Sequence, residues 1–135
     1  MDEVERLIDV LTDPEELAEV RIHVVKRLRD GRVAAENRTP VAQAMMNILA
    51  DHSSAELRLQ TALALAEFGK VDGVPRRLGE LALEVREPLD LRYSAFTSLE
   101  RAGPTSECVA ILRQLIPDES FGPAARSLLS AWRIE

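Results

Sequence analysis

Residues 57–69 read Leu-Arg-Leu-Gln-Thr-Ala-Leu-Ala-Leu-Ala-Glu-Phe-Gly: an apolar residue, an arginine, a leucine seven positions after it and a glycine four beyond that. The same order returns twice. Leu91-Arg92 is followed by Leu99 and Gly103, and Val20-Arg21 by Leu28 and Gly31, the last glycine arriving one residue early. A fourth, weaker copy is Ala125-Arg126, which lacks both the leucine and the glycine. Arg21, Arg58, Arg92 and Arg126 stand 37, 34 and 34 residues apart, the period of a two-helix repeat. An apolar residue and a leucine eight positions on share one face of a helix, and a glycine after it suits a left-handed C-cap.

Between the arginine segments lie stretches with helical periodicity. Val4, Leu7, Ile8 and Leu11 fall at i, i+3, i+4 and i+7, and further apolar stripes run from Val41 to Leu49, Val74 to Val85 and Cys108 to Ile116. Each repeat therefore reads as a first helix, a turn and an arginine-bearing second helix. Eight helices are expected, in repeats at approximately 1–31, 39–69, 73–103 and 105–135 of one domain. Asp13-Pro14 and Thr39-Pro40 place a capping side chain before a proline, the arrangement of a helix start, and Ser53 with Glu56 has capping-box spacing. No proline falls within an expected helix interior. Residues 55–68 are apolar nearly all round and should form the most buried helix. The first helix carries Asp2, Glu3, Glu5, Arg6 and Asp9 opposite its stripe, which suits a terminal repeat. At the other end Leu128, Leu129, Trp132 and Ile134 give more apolar surface than one neighbouring repeat covers, so weak self-association through the C-terminal helix is expected.

The 135 residues are 46% apolar and 30% charged but only 4% aromatic, the palette of close-packed helices in a soluble globular chain. No apolar run is long enough to span a bilayer, so no membrane partner is expected. The net charge of −6 disfavours non-specific attraction to nucleic acid or anionic lipid. Cys108 is the only cysteine and excludes an internal disulfide. The N-terminal residues have no basic stretch followed by an apolar one, so a cytoplasmic location is expected.

The pattern apolar-Arg-x-x-small-small-x-x-Leu-x-x-x-Gly resembles the second helix of HEAT repeats, particularly the short prokaryotic variety related to phycobilisome-lyase-like repeats. The resemblance spans nearly the whole chain. It implies an all-α fold, an α-solenoid of about four helical hairpins in an alpha-alpha superhelix, the armadillo-like architecture used for protein–protein interaction. It also implies an acidic partner for each arginine near the interhelix turn. Asp13, Asp51 and Asp118 stand there, while repeat three offers Glu87 or Asp90. A guanidinium reaches a carboxylate and backbone carbonyls at once, so all four arginines are assigned to structure.

Little in the chain points to chemistry. His23 and His52 have no second ligand at metal-binding spacing, so no metal is expected. The chain has no His-Glu dipeptide, the paired motif of the iron-binding HEAT-like hydroxylases. His52 beside Asp51 reads first as a turn residue, with a functional role as the alternative. Cys108, on an apolar helix with Val109 and Ile111, reads as core packing, with a reactive or bilin-attaching thiol as the alternative. No phosphate-binding glycine loop, nucleophile triad or catalytic carboxylate pair is visible, so neither catalytic residues nor a cofactor are expected. Lys26, Arg27 and Arg29 lie in a basic stretch that follows an acidic one; mutual compensation between the two helices is the plain reading and an anion patch the sharper one.

In HEAT-like arcs the second helices line the concave side. Counting from each arginine, the outward columns are His23, Lys26, Arg27 and Asp30; Gln60, Leu63, Ala64 and Glu67; and Ser94, Thr97, Ser98 and Arg101. All are expected off the core stripe, forming a groove for a helix or extended segment of another protein. The leading expectation is thus a non-catalytic scaffold. The alternatives are a bilin-lyase-like or other enzyme accessory subunit and a nucleic-acid-binding HEAT-like module.

Overall fold

A computed structural model describes residues 2–134, and within them the chain is all-helical, with no strand. The helices are α1 (Glu3–Thr12), α2 (Ala18–Asp30), α3 (Ala35–Ile48), α4 (Ala55–Ala64), α5 (Val74–Leu83), α6 (Leu89–Ala102), α7 (Ser106–Leu115) and α8 (Gly122–Ala131). A 3-10 segment, Leu65–Phe68, continues α4. Odd-numbered helices pack on odd-numbered neighbours, α1 on α3 and α5 on α7, and even on even, α2 on α4 and α4 on α6. Within each pair the two helices also pack on each other, α1 on α2, α3 on α4, α5 on α6 and α7 on α8, and one apolar core runs through them.

Of the three expected helix starts, one is shifted by a residue and two are absent. Asp2, Ser54 and Thr105 are the residues whose side chains accept a first-turn N–H, from Glu5, Leu57 and Cys108. Ser54 thus takes the role expected of Ser53, whose own N–H is engaged by Asp51. Asp13-Pro14 does not start a helix: Asp13 accepts the Glu15 N–H in a tight turn, and α2 begins at Ala18. Thr39-Pro40 does not start one either, because α3 begins at Ala35 and carries Pro40 inside it. The turn before that proline is held from outside, since Arg38 donates to the Glu67 carbonyl and lies 4.6 Å over the Phe68 ring.

The glycines do not act alike. Of the three that follow the arginine segments, only Gly103 has a positive φ, of 94°, whereas Gly31 and Gly69 sit at −81° and −59°. Gly69 is instead a point of close approach: a Cβ there would lie 2.8 Å from the Ala102 Cβ at the end of α6.

The arginines explain the repeat. Arg21, Arg58 and Arg92 are each the fourth residue of α2, α4 and α6, and they are only 4–5% exposed. Each Nε donates back to the end of the preceding helix, to the carbonyls of Leu11, Leu49 and Ala82 at 2.8, 2.8 and 2.9 Å. Each guanidinium then reaches forward to the turn of the next helix pair. Arg21 Nη1 meets Asp51 at 3.2 Å, Arg58 grips both oxygens of Glu87 with one bond of 3.1 Å, and Arg92 Nη2 meets Asp118 at 2.5 Å. The acidic partners are therefore staggered by one repeat, Glu87 and not Asp90 serves in the third turn, and Asp13 receives no arginine among the described residues. Asp51 and Asp118 use their other oxygen to hold their own turns, through the N–H groups of Ser53 and Ser120.

Arg126 does not belong to this set. The fourth residue of α8 is Ala125, fully buried, and Arg126 is one position further round the helix, in solvent. The sequence alignment on arginine slips by one here because α8 starts at Gly122, where a Cβ would strike the Ile116 carbonyl. At the same end Leu128 and Leu129 are buried and Trp132 and Ile134 pack partly against the core, so the apolar surplus expected at the C-terminus is largely absorbed within the chain. Phe121 stacks on Phe96 with ring centroids 5.7 Å apart and lies under the Arg92 guanidinium.

Arg58→Ala should lower unfolding free energy by about 3 kcal/mol in urea, because it strands Glu87 and the Leu49 carbonyl, while Arg126→Ala should stay within about 0.5 kcal/mol. The bridging carboxylates also set an acid limit. The Ser53 hydroxyl and N–H, and then Arg21, hold Asp51 below the usual carboxylate range. Arg58 does the same for Glu87; for Asp118, burial pushes upward but is outweighed by Arg92 and the Phe121 and Ser120 N–H groups. A lowered native pKa contributes stability present above the unfolded value of roughly 4 and lost as pH falls through the native one. The urea midpoint should therefore fall steeply below about pH 4, and less steeply in Arg92→Met.

Candidate partner-binding cleft

The even helices place their C-terminal halves side by side, and a cleft of about 490 Å³ opens along them. Arg29 and Asp30 come from the end of α2, Leu63 from α4, Ala66 and Glu67 from the 3-10 segment, and Thr97, Ser98 and Arg101 from α6. Of the residues expected on the concave face, the structure gathers Asp30, Leu63, Glu67, Thr97, Ser98 and Arg101 here. His23, Lys26 and Arg27 are exposed on α2 but do not line the cleft, and Arg27 is turned to a salt bridge with Glu3. Gln60 is half-buried and donates to Glu56 at 2.9 Å on its own helix.

Three of the outward positions are not outward. Ala64 and Ser98 are fully buried and Ser94 nearly so. The Ser98 hydroxyl reaches across to the Ala62 carbonyl at 2.7 Å, joining α6 to α4, and the Ser94 hydroxyl bonds back to the Asp90 carbonyl at 3.0 Å. Counting from the arginine misplaces the two serines because α6 packs on both α4 and α5, so its apolar stripe is widened by small polar residues whose hydroxyls find carbonyls.

Charge in the cleft is paired. Arg101 Nη2 meets Glu67 Oε1 at 2.5 Å across the gap between α6 and the 3-10 segment. Arg29 meets Asp30 at 2.7 Å, which raises the Arg29 pKa and lowers that of Asp30. Two features of this face are tertiary: the contacts of Arg38, a member of the basic stretch that runs to residue 38, and the exposure of Tyr93. Arg38 borders Glu67, and Tyr93 lies 63% exposed beside an apolar hollow formed with Phe96 and Leu128. The Arg38 acceptor is a backbone carbonyl 29 residues away, which no local pattern announces. Tyr93 was discoverable, since the residue after a buried arginine points elsewhere than the core.

The residues weighed for chemistry are dispersed. His23 lies on α2 and His52 at the turn before α4, both exposed. Cys108 is fully buried in α7. Among the described residues no helix is long and apolar enough to cross a membrane.

Ser98→Ala should cost about 1 kcal/mol in thermal or urea unfolding, since it removes an interhelix bond from a dry site. Arg101→Ala should cost less, because its carboxylate partner is exposed and the pair is screened by water. Comparison with family models, with curated proteins and with solved structures returns no match for this chain.

Proposed function

We propose that this chain is a non-catalytic scaffold: a short α-solenoid of HEAT-like hairpins that presents the even-helix cleft to another protein. The staggered arginine set carries this reading. A device that ties each helix pair to the next is what stacking repeats need, because one hairpin alone cannot bury its apolar face. In such an arrangement the second helices form a shared concave surface, and it is on the second helices that the cleft lies. The cleft is lined by short side chains between two salt bridges, a floor suited to a segment of extended or helical backbone.

Two observations weigh against the alternatives. The thiol of Cys108 is buried, which disfavours attachment of a bilin or other chromophore at that atom. The overall charge of −6 and the paired charges of the cleft disfavour a nucleic-acid backbone as its occupant.

The test is retention of a partner from native extract on the immobilised chain, compared with a Thr97→Arg variant that fills the cleft. Equal melting temperatures with loss of the partner support the reading. Equal retention by the variant contradicts it.

A further inference from the structure

Three hollows adjoin on the even-helix face. The central cleft shares Thr97 with a hollow of about 370 Å³ between α6 and α8, and it shares Ala66, Glu67 and Arg101 with one of about 430 Å³ at the ends of α3, the 3-10 segment and α6. Their chemistry is opposite. The α6/α8 hollow is walled by Tyr93, Phe96 and Leu128 together with the small side chains of Ala124, Ser127 and Ala131, and its only charged group is the carboxylate of Glu100. The other holds Arg38, Lys70 and Arg101 against the single carboxylate of Glu67.

That carboxylate is already engaged by Arg101. Arg38 spends its hydrogen bond and its ring contact on neutral groups, the Glu67 carbonyl and Phe68, and so keeps its full charge. Lys70 is exposed and forms no ion pair among the described residues. Two uncompensated cations thus flank the cleft in a chain whose net charge is −6. Of the other cations on the even helices, Arg29 and Arg27 are matched by Asp30 and Glu3, while Lys26 and Arg126 are exposed and do not line the three hollows.

Resting on the scaffold reading above, we infer that the occupant is a segment of a partner protein with an apolar or aromatic anchor at one end and acidic residues at the other. The anchor seats against Tyr93 and Phe96, and the acidic end meets Lys70 and Arg38. The continuity through Thr97 and Arg101 sets the line along which such a segment lies.

Fluorescence anisotropy with short labelled peptides tests this. One peptide carries a Leu-Phe pair, a Gly-Ser spacer and a run of glutamates; a second replaces the glutamates with lysines. The first should bind, weaken at least tenfold in Lys70→Glu and in Tyr93→Ala, and weaken on raising salt from about 50 to about 300 mM as screening shortens the reach of the charges. Both substituted residues are exposed, and thermal melts verify that the variants fold. Equal binding of the lysine peptide, or undiminished binding by Lys70→Glu, overturns the assigned chemistry. Binding by neither peptide also overturns it. In each case loss of the native partner by Thr97→Arg would leave the scaffold reading standing, whereas retention of that partner brings both down.

Discussion

A guanidinium removed from water must have its N–H groups met, and that requirement shapes this molecule. Arg21, Arg58 and Arg92 are buried in the first turns of α2, α4 and α6. One donor goes back to a carbonyl that the preceding helix leaves open at its C-terminus, and others go forward to a carboxylate in the next turn. Neither half suffices alone. The carbonyl cannot balance the charge, and the carboxylate belongs to a different helix pair, so burial of the arginine obliges two pairs to stand in register. Breaking such a pair costs more than forming it contributes, and its main effect is therefore on which arrangement is adopted. Where the arginine position holds Ala125, the series stops.

The same geometry separates the parts that hold the chain together from the parts that face outward. The arginines sit at the N-terminal ends of the even helices, whereas Asp30 and Arg101 sit nine residues later at the opposite ends. Nine residues of helix are roughly 13 Å. Substitution at the exposed residues of the cleft thus leaves the bridging groups untouched, whereas Ser98, buried at its floor, belongs to the packing between α4 and α6. The present character of the cleft is two matched salt bridges beside two unmatched cations and an aromatic hollow, in which exposed Tyr93 and Lys70 stand next to buried Phe96 and half-buried Arg38.

Much of that frame was legible from three recurrences of one motif. The helices, their order and the structural role of three arginines follow from spacing, because a helix repeats its faces every few residues and buried stripes are long enough to register. What spacing could not give was partnership across the repeat. Asp51, Glu87 and Asp118 were visible as acids near turns, but the stagger by one pair is a fact of three dimensions. Arg126 misled because a one-residue shift of register leaves the sequence motif nearly unchanged while rotating the side chain by about 100°. Ser98 misled for a different reason: a serine reads as polar, yet its hydroxyl is satisfied by Ala62 in the core. Pro40 stands inside α3 because Arg38, Glu67 and Phe68 hold the preceding turn, a tertiary contact that overrides a local stop.

The most direct measurement is a double-mutant cycle on Arg58 and Glu87 by urea unfolding, using Arg58→Met, Glu87→Gln and the pair. If this bridge ties the second helix pair to the third, the two substitutions should be coupled by about 1–3 kcal/mol. Additivity within about 0.5 kcal/mol would contradict the account, since the arginine would then be stabilising its own hairpin alone.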